Sequence, residues 1–271
     1  MYCKEFLKKI FSYYLDDVPE FSDNCIESLC QASTIIHENG FYKRKWGRTD
    51  DNTLDNVYPI LVGQPISLIH IKDNIINYLE IGAGDGKTMY LNCLKLVEKF
   101  KKPVNVFNFD IEHNVFPFIL DLIESSNKIN YTFLNANNIE QLGEYVFDLC
   151  VCKISLHHIK DAEDLLNIIN SKYILIREHD IQNKTQLIDV ITEHFIYSMF
   201  ENIPYEPDIE NMEKIYNDYI VNSTENDNYH SRNYWKKIIT NKGMKSIWDN
   251  SKKINNPTNY NRIYSELFVK K

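Results

Sequence analysis

Cysteine pairs at zinc-ligand spacing are missing from this chain, and so are histidine pairs of the H-x-x-x-H or H-E-x-x-H type. The six cysteines, at 3, 25, 30, 93, 150 and 152, form no C-x-x-C unit, which excludes the common structural zinc modules. Cys150 and Cys152 alternate within an apolar run and read as small core residues. No metal site is expected. Positive charge is also in short supply: 30 Lys and Arg against 38 Asp and Glu leave a net charge of −8. Attraction to nucleic acid through bulk charge is thereby excluded, although a local basic path is not. Long apolar runs are absent, and the first residues, Met1 to Lys9, are charged and too short of apolar length for a secretory signal or a membrane span. A reducing, cytoplasmic setting without membrane contact is expected. There is no internal repeat and no long linker. What is present, 44% hydrophobic and 25% charged residues over 271 positions, is the composition of a globular protein of one large domain, or one domain with an appendage.

The most informative stretch runs from Asn77 to Thr88, Asn-Tyr-Leu-Glu-Ile-Gly-Ala-Gly-Asp-Gly-Lys-Thr. It reads as a buried strand, a glycine-rich turn and the start of a helix. Gly82, Gly84 and Gly86 let the backbone turn sharply and let a ligand approach it closely. The N–H groups that open the helix point back at that ligand. A dinucleotide-binding G-x-G-x-x-G would need its third glycine at 87, which is Lys87. A phosphate-binding loop ending in Gly86-Lys87-Thr88 would need a glycine at 81, which is Ile81. A tight strand-to-helix turn without a ligand remains the plain alternative.

Further strands occur at regular intervals. Val104 to Asp110 ends in an acid roughly 20–25 residues past the turn, the separation at which one βαβ unit returns a carboxylate to the ribose of a nucleotide. Asp110 is the candidate, with Glu112 behind it and a simple strand-end turn as the alternative. Asn130 to Asn135 ends in amides, with Asn135 and Asn137 either ligand groups or turn residues. Tyr145 to Lys153 runs into Ile154-Ser155-Leu156-His157-His158, and Lys172 to Ile176 ends in Arg177-Glu178-His179-Asp180. In open α/β sheets the ligand crevice lies outside the carboxyl ends of the strands, which puts both polar runs at the mouth of a site. Arg177 paired with Glu178 or Asp180 in a structural network is the alternative there.

The Glu80, Gly82, Gly84, Gly86 pattern resembles motif I of the class I S-adenosylmethionine (SAM) methyltransferases, and Phe147-Asp148 with Leu156-His157-His158 resembles their motif IV. The likeness covers roughly residues 75 to 271. It implies an α/β, Rossmann-like sheet of seven strands, six parallel and the last antiparallel, closed by a C-terminal hairpin (Lys245 to Trp248 and Arg262 to Val269) and flanked by helices. It also implies SAM as cofactor. The cofactor-binding residues would be Glu80, Gly82, Gly84, Asp85, Gly86, Asp110, Ile111, Asn135, Asn137 and Ser155. Residues 71–271 would form the methyltransferase domain and 1–70 a helical extension or lid. Within that extension, Lys4 to Leu15 and Ser22 to Asn39 read as helices, the second ending at Gly40. Thr185 to Phe200, Asp208 to Val221 and Tyr234 to Asn241 read as further helices.

The acceptor is harder to read. The RNA ribose methyltransferases carry a Lys-Asp-Lys-Glu set whose Asp follows the fourth strand, and here Cys152-Lys153 stands in that place. No Asn/Asp-Pro-Pro-Tyr motif is present either. Guanine N7 of an mRNA cap, which needs no base, is left by elimination. Lys43, Arg44, Lys45, Trp46 and Arg48 mix cations with an aromatic and suit phosphate contact with base stacking, or form an exposed basic loop. Arg177 to Asp180, Ile188 to His194 and Tyr229 to Trp235 resemble methyltransferase domains of large DNA viruses and related cytoplasmic elements, many tied to mRNA capping. The candidate catalytic groups are Lys153, His157, His158, Glu178 and His179, since His and Glu can orient an acceptor or take its proton. A small-molecule or protein methyltransferase, and a non-catalytic subunit supporting a partner protein, stay open.

Overall fold

The computed structural model describes Thr53, Leu54, residues 57–183, Gln186, Leu187, Val190, 229–250 and 263–270. One unit, 52–181 with 228–271, holds the whole sheet. The helices expected at Lys4 to Leu15, Ser22 to Asn39 and Asp208 to Val221 lie outside the described residues, as do the basic–aromatic segment Lys43 to Arg48 and all of Thr185 to Phe200 except Gln186, Leu187 and Val190, which are helical. Among the described residues no helix is long and apolar enough to cross a membrane.

Seven strands build the sheet: β1 (Ile76–Ile81), β2 (Val104–Asp110), β3 (Ile129–Asn135), β4 (Phe147–Lys153), β5 (Ser171–His179), β6 (Met244–Asp249) and β7 (Ile263–Lys270). Their spatial order is β3-β2-β1-β4-β5-β7-β6. β1 to β5 pair parallel, and β7 lies antiparallel to both β5 and β6, so six strands run one way and β7 the other. The expected α/β, Rossmann-like architecture with an antiparallel C-terminal hairpin is the one observed. Strands buried on both faces must be apolar at successive positions, not only alternate ones. Phe147 to Cys152 of β4 is buried throughout. Leu79, Ile81, Cys150, Cys152, Ile174 and Ile176 enter one core, while Tyr78, Leu149, Val151, Tyr173 and Leu175 enter the other.

The helices α1 (Gln64–Leu68), α2 (Lys87–Phe100), α3 (Pro117–Glu124), α4 (Ala162–Ile168) and α5 (Arg232–Asn241) surround the sheet. α2 starts after Gly86 and ends where Lys101 turns to φ 58 and donates to the Val97 carbonyl. It buries Met89, Cys93 and Leu96 over the second core, each worth about 1.5–3 kcal/mol if fully removed from water. Asn92 on its inner side is fully buried. Its Oδ1 accepts the Ile60 and Leu61 N–H groups at 3.0 and 3.2 Å, and its Nδ2 donates to the Tyr78 hydroxyl at 3.1 Å. This one side chain ties Leu61, also in the core, to the sheet, and leucine at 92 would strand both N–H groups at about 1–3 kcal/mol each.

The amino ends of the strands are stitched by amides. Asn105 donates to Asn77 and Asn130 to Asn105, so one side chain type repeats in register across β1, β2 and β3. Asp148 accepts the Asn77 N–H at 2.9 Å, fixing β4 beside β1 at that same end. The motif-IV acid is therefore a clip far from the carboxyl ends. Strand order reverses between β1 and β4, and a ligand crevice is expected outside their carboxyl ends.

Candidate functional site

Gly82 leaves β1 at φ +69, donating to the Phe109 carbonyl at 2.9 Å. A Cβ there would stand 2.7 Å from the Ser155 Cβ, so this position is closed to any side chain by angle and by packing. At Gly84, φ +56, a Cβ would meet nothing within 4 Å. The turn thus presses on Ser155 at one glycine and opens outward at the next. Asp85 pins the helix start to the loop beyond β2: its Oδ1 accepts the Lys87 N–H at 3.0 Å, and its carbonyl accepts the Phe116 N–H at 3.1 Å. Lys87 is buried with its ammonium 5.4 Å from the centres of both the Phe116 and Phe118 rings.

Asp110, at the end of β2, lies against this turn. Its Oδ2 is 3.4 Å from the Gly84 N–H, and its Oδ1 accepts the Ile111 N–H at 2.8 Å. Ile111 is an apolar side chain left 66% exposed beside that carboxylate. Asn135 is the register partner of Asp110 on β3. It closes a turn by accepting the Asn137 N–H at 2.9 Å, and both amides are exposed. Ser155 is buried against Gly82, and its hydroxyl has no hydrogen-bond partner among the described residues. An open glycine turn, a carboxylate beside it, an exposed apolar side chain and an orphaned buried hydroxyl fit a nucleoside carrying a polar tail.

Glu80 lies behind the turn and is buried under α2. Burial raises its carboxyl to about 8, against the charge of Lys153 and a hydrogen bond from Asn92. Lys153 donates to the Thr88 hydroxyl at 2.8 Å. Along β4, Lys153 alternates with Val151 and therefore faces α2. Glu178, alternating with Ile174 and Ile176, faces the opposite side of the sheet. The structure thus separates Lys153 from the other four candidate catalytic residues and joins it to Glu80 and Thr88.

Those four come together around Glu178, which is 1% exposed. Its Oε2 accepts the Ser155 and Leu156 N–H groups at 3.1 and 2.9 Å. Its Oε1 is 2.7 Å from His157 Nδ1 and accepts the His179 N–H at 2.8 Å. Burial alone would raise this carboxyl, but the charge and hydrogen bond of His157, with the charge and N–H of His179, hold it down at about 2. Ile154 makes the arrangement possible. It adopts φ 51, a left-handed conformation that costs a β-branched residue roughly 1–2 kcal/mol. Its N–H still bonds the Arg177 carbonyl at 2.7 Å, and the next two N–H groups then point at Glu178. His157 is buried, with Tyr229 stacked on it at 5.2 Å and His179 edge-on at 4.9 Å. His158 is exposed, its ring centre 3.9 Å from that of His157.

Ligand atoms of His157, Glu178 and His179 lie within 4.8 Å of one another, a spacing from which three side chains can hold a metal ion. Both Glu178 oxygens are already occupied by two N–H groups each, which makes that carboxylate the orienting partner of His157. Thr88 and Tyr229 were given no site role by sequence reasoning, which placed Arg177 at the mouth of the site without a role of its own. The hydrogen bond from Lys153 brings in Thr88, the register of β4 with β5 brings in Arg177, and the return of the chain at 229 brings in Tyr229.

The strand order and the lone antiparallel β7 agree with the Rossmann-like sheet that the resemblance to the class I methyltransferases implies. No protein-family model matches the chain, and no curated protein matches it. Solved structures do match. A SAM-dependent methyltransferase from Methanosarcina mazei is 15% identical, at a TM-score of 0.45 over 77% of this chain and 98% of that one. The CMeT domain of the citrinin polyketide synthase is 15% identical, at a TM-score of 0.43 over 72% of this chain and 46% of that one. An O-methyltransferase family protein from Burkholderia thailandensis is 10% identical, at a TM-score of 0.43 over 72% of this chain and 51% of that one. This chain spans about half the length of the last two.

Proposed function

We propose that this protein is a SAM-dependent methyltransferase whose acceptor gives up a proton as it is methylated. The observation that carries the reading is the continuity of one turn: Ser155 abuts the glycine turn at Gly82, and two residues later His157 meets Glu178. Bound SAM supplies an electrophilic sulfonium methyl, and the protein aligns it with the acceptor. Gly82 to Gly86 would take the methionine end, Asp110 the ribose hydroxyls, and Ile111 a face of the adenine, with Asn135 and Asn137 near its amino group. When His157 Nδ1–H donates to Glu178, the neutral ring keeps Nε2, a buried atom that an acceptor would have to reach beside Tyr229, as its basic nitrogen. A proton passing from the acceptor to Nε2 makes an imidazolium, which the ionised Glu178 stabilises.

This chemistry favours a hydroxyl or another protic group on a small molecule or protein. Guanine N7 of a capped RNA has no proton to lose, and the Lys43 to Arg48 segment that would contact RNA lies outside the described residues. Calorimetric titration with SAM and with its demethylated product, S-adenosylhomocysteine, tests the cofactor. Transfer from tritiated SAM to capped RNA and to a panel of hydroxyl, phenol and amine acceptors then tests the acceptor. Binding of neither nucleoside by a folded sample overturns the reading in favour of a non-catalytic subunit. Transfer to capped guanine, undiminished when His157 is replaced, restores the RNA reading.

A further inference from the structure

β4 and β5 end in two cations set side by side. Lys153 and Arg177 are register partners on neighbouring parallel strands, so their side chains leave the same face of the sheet, the one α2 covers. Burial lowers the Lys153 ammonium from its ordinary range, Glu80 and Asp85 pull it back, and the charge of Arg177 lowers it further. Among the described residues the acids acting on Lys153 are Glu80 and Asp85, and neither is hydrogen-bonded to Arg177 Nε. Glu80, at about 8, is mostly protonated at neutral pH, and Asp85 already caps the Lys87 N–H. The first turn of α2 holds no acidic residue, so the positive end of a 14-residue helix faces the same place. Lys153 donates one hydrogen bond to the Thr88 hydroxyl. The buried Nε of Arg177 has no hydrogen-bond partner among the described residues. Two adjacent cations, a helix N-terminus and a guanidinium N–H with no partner among the described residues make a place that suits an anion.

Resting on the SAM reading, we infer that Lys153 and Arg177 form the seat of a carboxylate, the α-carboxylate of the cofactor's methionine end. The location fits the ligand. Asp110 ends β2 on one side of β1, and the cation pair ends β4 and β5 on the other. Three inter-strand spacings, roughly 14 Å, separate β2 from β5, a span that an extended nucleoside with an amino-acid tail can bridge. Ser155 lies between the two ends, at Gly82. Arg suits the role because its planar fork matches a carboxylate with two parallel bonds.

The test compares two nucleosides that differ in that tail. S-adenosylhomocysteine carries the carboxylate, whereas 5′-methylthioadenosine lacks the whole amino-acid end. Calorimetry on the full chain should show Arg177→Gln losing about 10- to 100-fold in affinity for S-adenosylhomocysteine while its affinity for 5′-methylthioadenosine stays within about twofold. Arg177→Lys should recover part of the loss, and Lys153→Met should act in the same direction as Arg177→Gln. Retained 5′-methylthioadenosine binding also reports that the variants are folded. Equal losses for both nucleosides, or no loss for either, overturn the assignment while leaving SAM as cofactor. A wild-type protein that binds neither nucleoside overturns the cofactor reading, and this inference with it.

Discussion

Glu80 gives the protein a pH dependence that can be worked out beforehand. Its carboxyl is fully buried and titrates at about 8, against an ordinary 4.5. Between those values the native state holds a proton that the unfolded chain has released. The free energy of unfolding therefore falls as pH rises through this window, by about 1.4 kcal/mol per pH unit at full effect. Glu80→Gln keeps the shape, stays neutral and removes the dependence. Urea unfolding of the cofactor-free protein at about pH 5.5 and about pH 8 measures it. Wild type should lose about 2–3 kcal/mol more than the variant between the two conditions, the full slope being reduced as the pH reaches the native titration point of Glu80. The variant should also be the more stable of the two at the higher pH. Parallel losses in the two proteins would refute the reasoning, because Glu80 would then be ionised in the native state and paired with Lys153.

Asp110→Ala should weaken SAM binding by about 1–3 kcal/mol through lost charged-acceptor hydrogen bonds, and unchanged calorimetric affinity in a folded variant removes Asp110 from the site. His157→Gln should lower transfer to a protic acceptor by about 10²–10⁴ with SAM affinity retained, read as kcat against the cofactor dissociation constant. Unaltered kcat would exclude it as the base. At position 154 the usual order of stabilities should invert: Ile154→Gly should be more stable than Ile154→Ala by about 1 kcal/mol, since φ 51 strains a residue with a Cβ and not glycine. A thermal unfolding series in which alanine wins would remove the strain argument.

The glycine turn and Asp110 were legible because one βαβ unit fixes their separation along the chain, and the fold places them 3.4 Å apart. The partnership of Glu178 with His157 was not legible. The two are 21 residues apart on different elements, and nothing in a local window predicts that Ile154 turns left-handed and aims the following N–H groups at a carboxylate. Lys153 was grouped with the histidines because it precedes them by a few residues. The period-2 alternation of β4 still governs its direction, so it faces Thr88 and Glu80 instead. The same alternation separates Arg177 from its chain neighbour Glu178, so a pairing that looks natural in sequence is divided by the sheet. Asn135 and Asn137 were ambiguous in sequence, and the turn they close is one of the two roles foreseen for them.

The turn from Ile154 to His157 also sets a ruler. Its near end is wedged against Gly82, and its far end is bolted to β5 through Glu178. On the proposed reading, the gap between the cofactor and His157 is then a matter of covalent bond lengths over three residues. By the same reading, a change of acceptor can be accommodated by altering walls elsewhere, whereas inserting or deleting a single residue within 154–157 would shift Ser155 and His157 against Gly82 and Glu178 together.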